Sequence, residues 1–99
     1  MFSHIVVFWT DPAQPGAADE LVAGAERLLK NIPGVRQFHA GKMVPSERPV
    51  VEQSYQVALN LIFPDKGTEQ AYQTHPRHVE FVAKYVKPLV QKLVIYDFE

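Results

Sequence analysis

Apolar positions along this chain change period several times, and each change marks an element. Phe2 to Trp9 is rich in β-forming residues and ends at Thr10-Asp11-Pro12, where proline lacks an amide donor and biases its predecessor away from helix. That segment reads as a strand. After a loop from Asp11 to Gly16, Leu21, Ala25, Leu28, Leu29 and Ile32 form one stripe at helical period. The spacing predicts a helix from about Ala17 to Ile32, stopped by Pro33-Gly34. Val35 to Val44 carries a mixed pattern expected to form a second strand, with Gly41 as a candidate bulge. Beyond the polar loop Pro45 to Pro49, Tyr55, Val57, Leu59, Leu61 and Phe63 alternate strictly and predict a third strand closed by Pro64-Asp65. Asp65 to Tyr72 is expected to form a short helix capped by Asp65, and a second helix begins near Pro76, which suits a first-turn position. Val79, Val82, Ala83 and Val86 repeat at i, i+3, i+4 and i+7, Pro88 ends that stripe, and Lys92 to Phe98 forms the last strand.

The order β-α-β-β-α-β is that of an α+β ferredoxin-like unit, a four-stranded antiparallel sheet with helices on one face. No linker or repeat divides residues 1–99, so one domain is expected. The first strand is apolar on both sides, with Phe2, Val6 and Phe8 alternating against Ile5, Val7 and Trp9. Helices cover only one of these faces. A second copy of the sheet is the economical cover for the other, and a homodimer is expected.

Composition narrows the partners. The chain has 46% hydrophobic and 21% charged residues and a formal net charge of -1, with the charges interspersed. It therefore lacks the basic field that concentrates nucleic acid or anionic lipid, and neither nucleic acid nor membrane is expected as a partner. The absence of cysteine removes disulfides, thiolate nucleophiles and sulfur-ligated zinc. The start MFSHIVVFWTDP has no charged n-region and its apolar run is short for a signal segment or a membrane span, so a cytoplasmic location is the expectation.

Three stretches carry a resemblance. The start His4-Ile5-Val6-Val7-Phe8, the block Tyr72-Gln73-Thr74-His75-Pro76-Arg77-His78-Val79-Glu80-Phe81 and the end Leu93-Val94-Ile95-Tyr96-Asp97-Phe98 resemble the signature of the stress-responsive dimeric α/β barrel (Dabb) family. The resemblance covers nearly the whole chain and implies a dimer whose two sheets pack into a barrel. A plant polyketide cyclase of that family shares the Y-x-x-H-P-x-H block and the N-terminal histidine. Carried over, it implies His78 as general base, Tyr72 as a group that binds or polarises substrate, and His4 as a further substrate contact, with no cofactor. A third-strand histidine of that cyclase aligns with Val57 here, which points to a different substrate.

The residues support this chemistry on their own terms. An imidazole titrates near neutrality, and a helix N-terminus favours its neutral form, so His78 suits a base. His75, just before a first-turn proline, is expected to cap the helix. His4 shares a strand face with Phe2, Val6 and Phe8 and must find a polar partner or reach a cavity. The Tyr72 phenol can donate to an oxyanion. His39 is expected at the surface, and His75 and His78 lack an assured third ligand, so no metal site is expected. Three roles fit: a dimer binding a small hydrophobic carbonyl compound between sheet and helices, a cofactor-free polyketide-cyclase-like enzyme using His78 and Tyr72, and a cofactor-free monooxygenase of the wider dimeric barrel group.

Overall fold

A computed structural model describes all residues from Met1 to Glu99. Strands β1 (Phe2–Thr10), β2 (Gln37–Lys42), β3 (Val57–Phe63) and β4 (Val90–Phe98) form one antiparallel sheet in the order β2-β3-β1-β4. Helix α1 (Ala17–Leu28) crosses from β1 to β2. The connection from β3 to β4 holds α2 (Lys66–Thr74), α3 (Pro76–Phe81), a π-helical turn (Val82–Val86) and a short turn α4 (Lys87–Leu89). This is the expected ferredoxin-like arrangement.

Period-two alternation decides which side chains meet the helices. Phe2, Val6 and Phe8 of β1 and Val57, Leu59, Leu61 and Phe63 of β3 are buried with the α1 residues Leu21, Ala25 and Leu28. His4 lies on that same face, opposite Leu61 of β3 on one side and Asp97 of β4 on the other. The opposite face, with Ile5, Val7 and Trp9 of β1, is only partly covered, and Tyr96 and Phe98 of β4 remain 58% and 57% exposed.

Several boundaries differ from those the pattern predicts. Helix α1 ends at Leu28, four residues early, because the chain turns through Leu29–Gly34, yet Leu29 and Ile32 stay buried as the extension of the same apolar stripe. Gly34 adopts φ +96°, a conformation that favours glycine, and completes that turn. Strand β2 is shorter than Val35–Val44, and its pairing with β3 runs without interruption through Gly41, so the bulge is not there. The one register shift lies between Trp9 and Thr10, against β4, and β4 begins at Val90, two residues before the expected start. Asp65 caps α2 as expected, accepting a hydrogen bond from the Thr68 amide at 2.8 Å. His75 caps α3 through its ring, accepting from the Arg77 amide at 3.1 Å.

The largest departure is the second helix. Val79 and Ala83 of the predicted stripe are exposed, and Phe81 is buried instead. The Lys87 amide reaches back five residues to the Val82 carbonyl, which widens this turn and rotates the residues beyond it. In a regular helix the ring of Pro88 would meet the Lys84 carbonyl, and the wide turn comes just before it. Within this turn the Tyr85 ring lies on Phe81, with centroids 5.9 Å apart, and against Gly24 of α1. A Cβ at Gly24 would sit 2.7 Å from that ring, so the two helical segments approach as closely as they do because position 24 has no side chain. Gly24→Ala should therefore destabilise the fold by about 1–3 kcal/mol in chemical denaturation, as overpacking does, and adding Tyr85→Leu should recover part of the loss.

Candidate functional site

Between the inner sheet face and the α3 to α4 segment lies a cavity of about 140 Å³. Its walls are apolar. Val6 and Phe8 of β1 and Leu59 of β3 form the floor, Phe81, Val82 and Val86 the opposing side, and Leu93 and Ile95 of β4 the outer edge. Leu93 and Ile95 are 41% and 47% exposed although they point to the helix side, so the mouth runs along β4.

Three polar side chains line the cavity: His4, Tyr72 and His78. Strand alternation turns His4 inward from β1, α2 carries Tyr72, and the cap at His75-Pro76 turns the chain so that His78 comes next on α3. The Tyr72 ring stands edge-on to His78 at 4.8 Å and to His4 at 6.1 Å between centroids, and packs on Phe63 at 5.0 Å. Burial, and then the charge of Glu69, pushes the Tyr72 phenol well above its ordinary value, so it stays protonated as a hydrogen-bond donor. Burial, and then the nearby His4, lowers His78 below the ordinary histidine value, against a smaller opposing effect of the Gln73 main-chain carbonyl. An imidazole so placed is neutral at pH 7 and can accept a proton.

The other expectations sort plainly. His75 is spent on its cap and does not line the cavity. His39 is exposed on β2. Val57 is buried in the core.

Two residues that the pattern did not mark complete the polar end of the site. Glu69 on α2 is 2% exposed, and its Oε2 accepts a hydrogen bond from the Gln73 side-chain Nε2 at 2.6 Å. Asp97 on β4 lies opposite His4 in the strand register and accepts from His4 Nδ1 at 2.6 Å, while Glu69 Oε2 lies 3.5 Å from the same nitrogen. Thus both carboxylates meet one imidazole nitrogen. Ligand atoms of His4, Glu69 and Asp97 fall within 4.8 Å of one another, so these three, rather than His75 and His78, are the group whose donors could surround a divalent ion. Glu69 could have been suspected from its place three residues before Tyr72, on the same face of α2. The partnership of Asp97 with His4 needs the strand pairing.

The model of the stress-responsive A/B barrel domain matches residues 2–99. The chain belongs to that family. The Dabb domain is 31% identical over 97 residues to the stress-response A/B barrel domain-containing protein At5g22580 of Arabidopsis thaliana, covering 98% of this chain and 84% of that protein. It superposes with a TM-score of 0.79 on a Dabb family protein of ferredoxin-like fold from Mesorhizobium loti, at 25% identity over 99% of this chain and 94% of that one. A dimeric ferredoxin-like protein from Thermobifida fusca shares the fold with a TM-score of 0.80 at 20% identity, covering 98% and 88% of the two chains. No helix of the Dabb domain is long and apolar enough to cross a membrane.

The lowered pKa of His78 makes the stability of this Dabb domain depend on pH. The unfolded chain takes up a proton at the ordinary value of 6.5 while the folded state resists it, so the unfolded state binds more protons in that window and stability falls as pH drops from above 6.5 through the folded value. His78→Asn should remove this part of the acid sensitivity. The difference between wild-type and variant melting temperatures should shift against the wild type between pH 7.5 and pH 5.5, and a constant difference would place His78 in an unperturbed environment.

Proposed function

We propose that this Dabb domain acts as a homodimer and binds a small apolar carbonyl compound in the cavity between its sheet and helices. The observation that carries this reading is the convergence of His4, Tyr72 and His78 on one cavity whose remaining walls are apolar. A few polar groups set in an apolar concave site are the general form of a small-molecule site. Size supports a compact ligand: apolar cavities of about 150 Å³ hold a molecule the size of benzene, and this one measures about 140 Å³. A single ring or a short branched chain fits better than an extended polyketide.

The dimer is supported by the outer sheet face, where Ile5, Val7 and Trp9 sit beside Val94, Tyr96 and Phe98 with no helix over them. The Thermobifida fusca protein of the same fold is dimeric. Val7→Asp should convert the protein to a monomer or unfold it, because a carboxylate facing an apolar partner is costly to bury. Light scattering at micromolar concentration reads the outcome, and a stable dimer in that variant would place the contact elsewhere.

A second reading, proton-transfer chemistry without a cofactor, is favoured by one further observation. His78 is held neutral beside Tyr72, which is held protonated, so a base and a donor face the same space. On this reading His78 takes a proton from the carbon next to the carbonyl, and Tyr72 donates a hydrogen bond to the oxygen that gains charge. His78→Ala should leave the dimer folded and lower turnover of any accepted ketone by about a hundredfold to ten-thousandfold, with Tyr72→Phe costing less. If His78→Ala retains full turnover, the base role is excluded. If ketones also fail to shift the His78 ring resonances of the wild type, ligand binding in the cavity is excluded as well.

A further inference from the structure

His4 is the one cavity-lining residue that is gripped from behind. Asp97 Oδ1 at 2.6 Å and Glu69 Oε2 at 3.5 Å both meet its Nδ1, and neither carboxylate lines the cavity, whereas His4 does. A carboxylate oxygen accepts hydrogen bonds, so the short contact requires the hydrogen to be on Nδ1. The grip is itself supported: Gln73 holds Glu69 through a 2.6 Å hydrogen bond, four residues on along the same helix, and β1–β4 pairing holds Asp97 opposite His4. Two carboxylates from separate elements spend their reach on one nitrogen, and one of them is almost wholly buried. Ordinary packing does not call for a buried acid at position 69, since burying a carboxylate is costly unless it is paired.

We propose that Glu69 and Asp97 are positioning residues that fix a proton on His4 Nδ1 and leave Nε2 as the atom through which His4 exchanges a proton with the ligand, so that the cavity selects compounds bearing an enolic or phenolic oxygen besides their carbonyl. The proposal deepens the ligand-binding reading and rests on it. The proton balance is simple. One proton is shared between His4 Nε2 and the ligand oxygen, as N–H with an oxyanion or as N with a hydroxyl, and no bond to carbon changes. His4, Tyr72 and His78 then divide the work: His4 meets the ionisable oxygen, Tyr72 donates to the carbonyl and His78 remains neutral. Enolised β-dicarbonyls and hydroxylated aromatic ketones carry both oxygens in a body of the right size. A neutral histidine left to itself in water favours the proton on Nε2, so the opposite tautomer is a signature that the carboxylates impose and that mere packing of the ring does not.

Two measurements on the intact protein test this separately from the binding reading. The first is the ¹⁵N spectrum of histidine-labelled protein at pH 8, with the exposed His39 as internal reference. His4 should show a protonated Nδ1 and an unprotonated Nε2, and the tautomer should revert toward protonated Nε2 in Asp97→Ala and further when Glu69→Gln is added. Protonated Nε2 in the neutral wild-type ring, or an unchanged tautomer in the double variant, overturns the positioning roles. Should the double variant unfold, Asp97→Ala alone decides, since Asp97 lies at the exposed edge of β4. The second measurement compares 3-hydroxyacetophenone with acetophenone by titration. The hydroxyl compound should bind about tenfold more tightly, as sites built to pair a hydroxyl discriminate against analogues without one, and Asp97→Ala should bring the ratio near unity while leaving acetophenone affinity almost unchanged. A ratio that is the same in both proteins overturns the proposed selectivity. If neither ketone binds while the tautomer is as expected, the binding reading fails and the positioning of His4 stands. Stoichiometric Zn²⁺ binding that Asp97→Ala abolishes would overturn the proposal, because the metal would take the Nδ1 lone pair that the proposal assigns to a proton.

Discussion

The antiparallel register between β1 and β4 is the constraint on which the site depends. It sets Phe8 opposite Leu93, Val6 opposite Ile95 and His4 opposite Asp97, so one ladder supplies the apolar floor, the outer wall and the anchored histidine together. Because side chains alternate with period two, a slip of one residue would turn Leu93, Ile95 and Asp97 to the outer face and leave His4 without its carboxylate. Burial of Phe2, Val6 and Phe8 under the helices fixes which face of β1 looks inward, and the pairing then sets which residues of β4 stand beside that face. Packing energy and polar chemistry thus come from the same pairing.

The second constraint is the path from β3 to β4. Four helical segments lie end to end there: α2 capped by Asp65, α3 started by His75-Pro76, the π-helical turn, and α4 with Pro88. The break at His75 lets Tyr72 and His78 lean on one another from different helices. The wide turn then sends Val82 and Val86 into the cavity and Tyr85 against α1 at Gly24. Irregular backbone beside the site is a structural cost that goes with having a space at all.

Electrostatics divide the polar groups into two kinds. Tyr72 and His78 are kept uncharged mainly by burial, which disfavours any charged form in an apolar wall. His4 is treated differently, with two carboxylates at hand. One imidazole of the cavity is thus flanked by carboxylates and the other by the Tyr72 ring.

Much of this was legible in the chain by itself. Strict alternation in Val57–Phe63, the run of β-forming residues in Phe2–Trp9, the caps at Asp65 and His75, and the order of elements come from local rules that need no partner, and each is present in the fold. That His4 shares a face with Phe2, Val6 and Phe8 comes from strand parity alone, whereas Tyr72 and His78 stood out through the resemblance of the Y-x-x-H-P-x-H block to the Dabb signature. Only the tertiary structure decided the rest. The burial of Glu69 depends on α2 lying over the sheet, and Asp97 gained meaning only when the last strand paired with the first, 93 residues away. The wide turn at Val82–Val86 goes with Tyr85 packed against Gly24 of α1, a contact that a periodicity taken along one helix cannot register. Local rules fix which face a residue takes on its own element, whereas which faces meet, and in what register, depends on long-range packing that no short window of sequence contains.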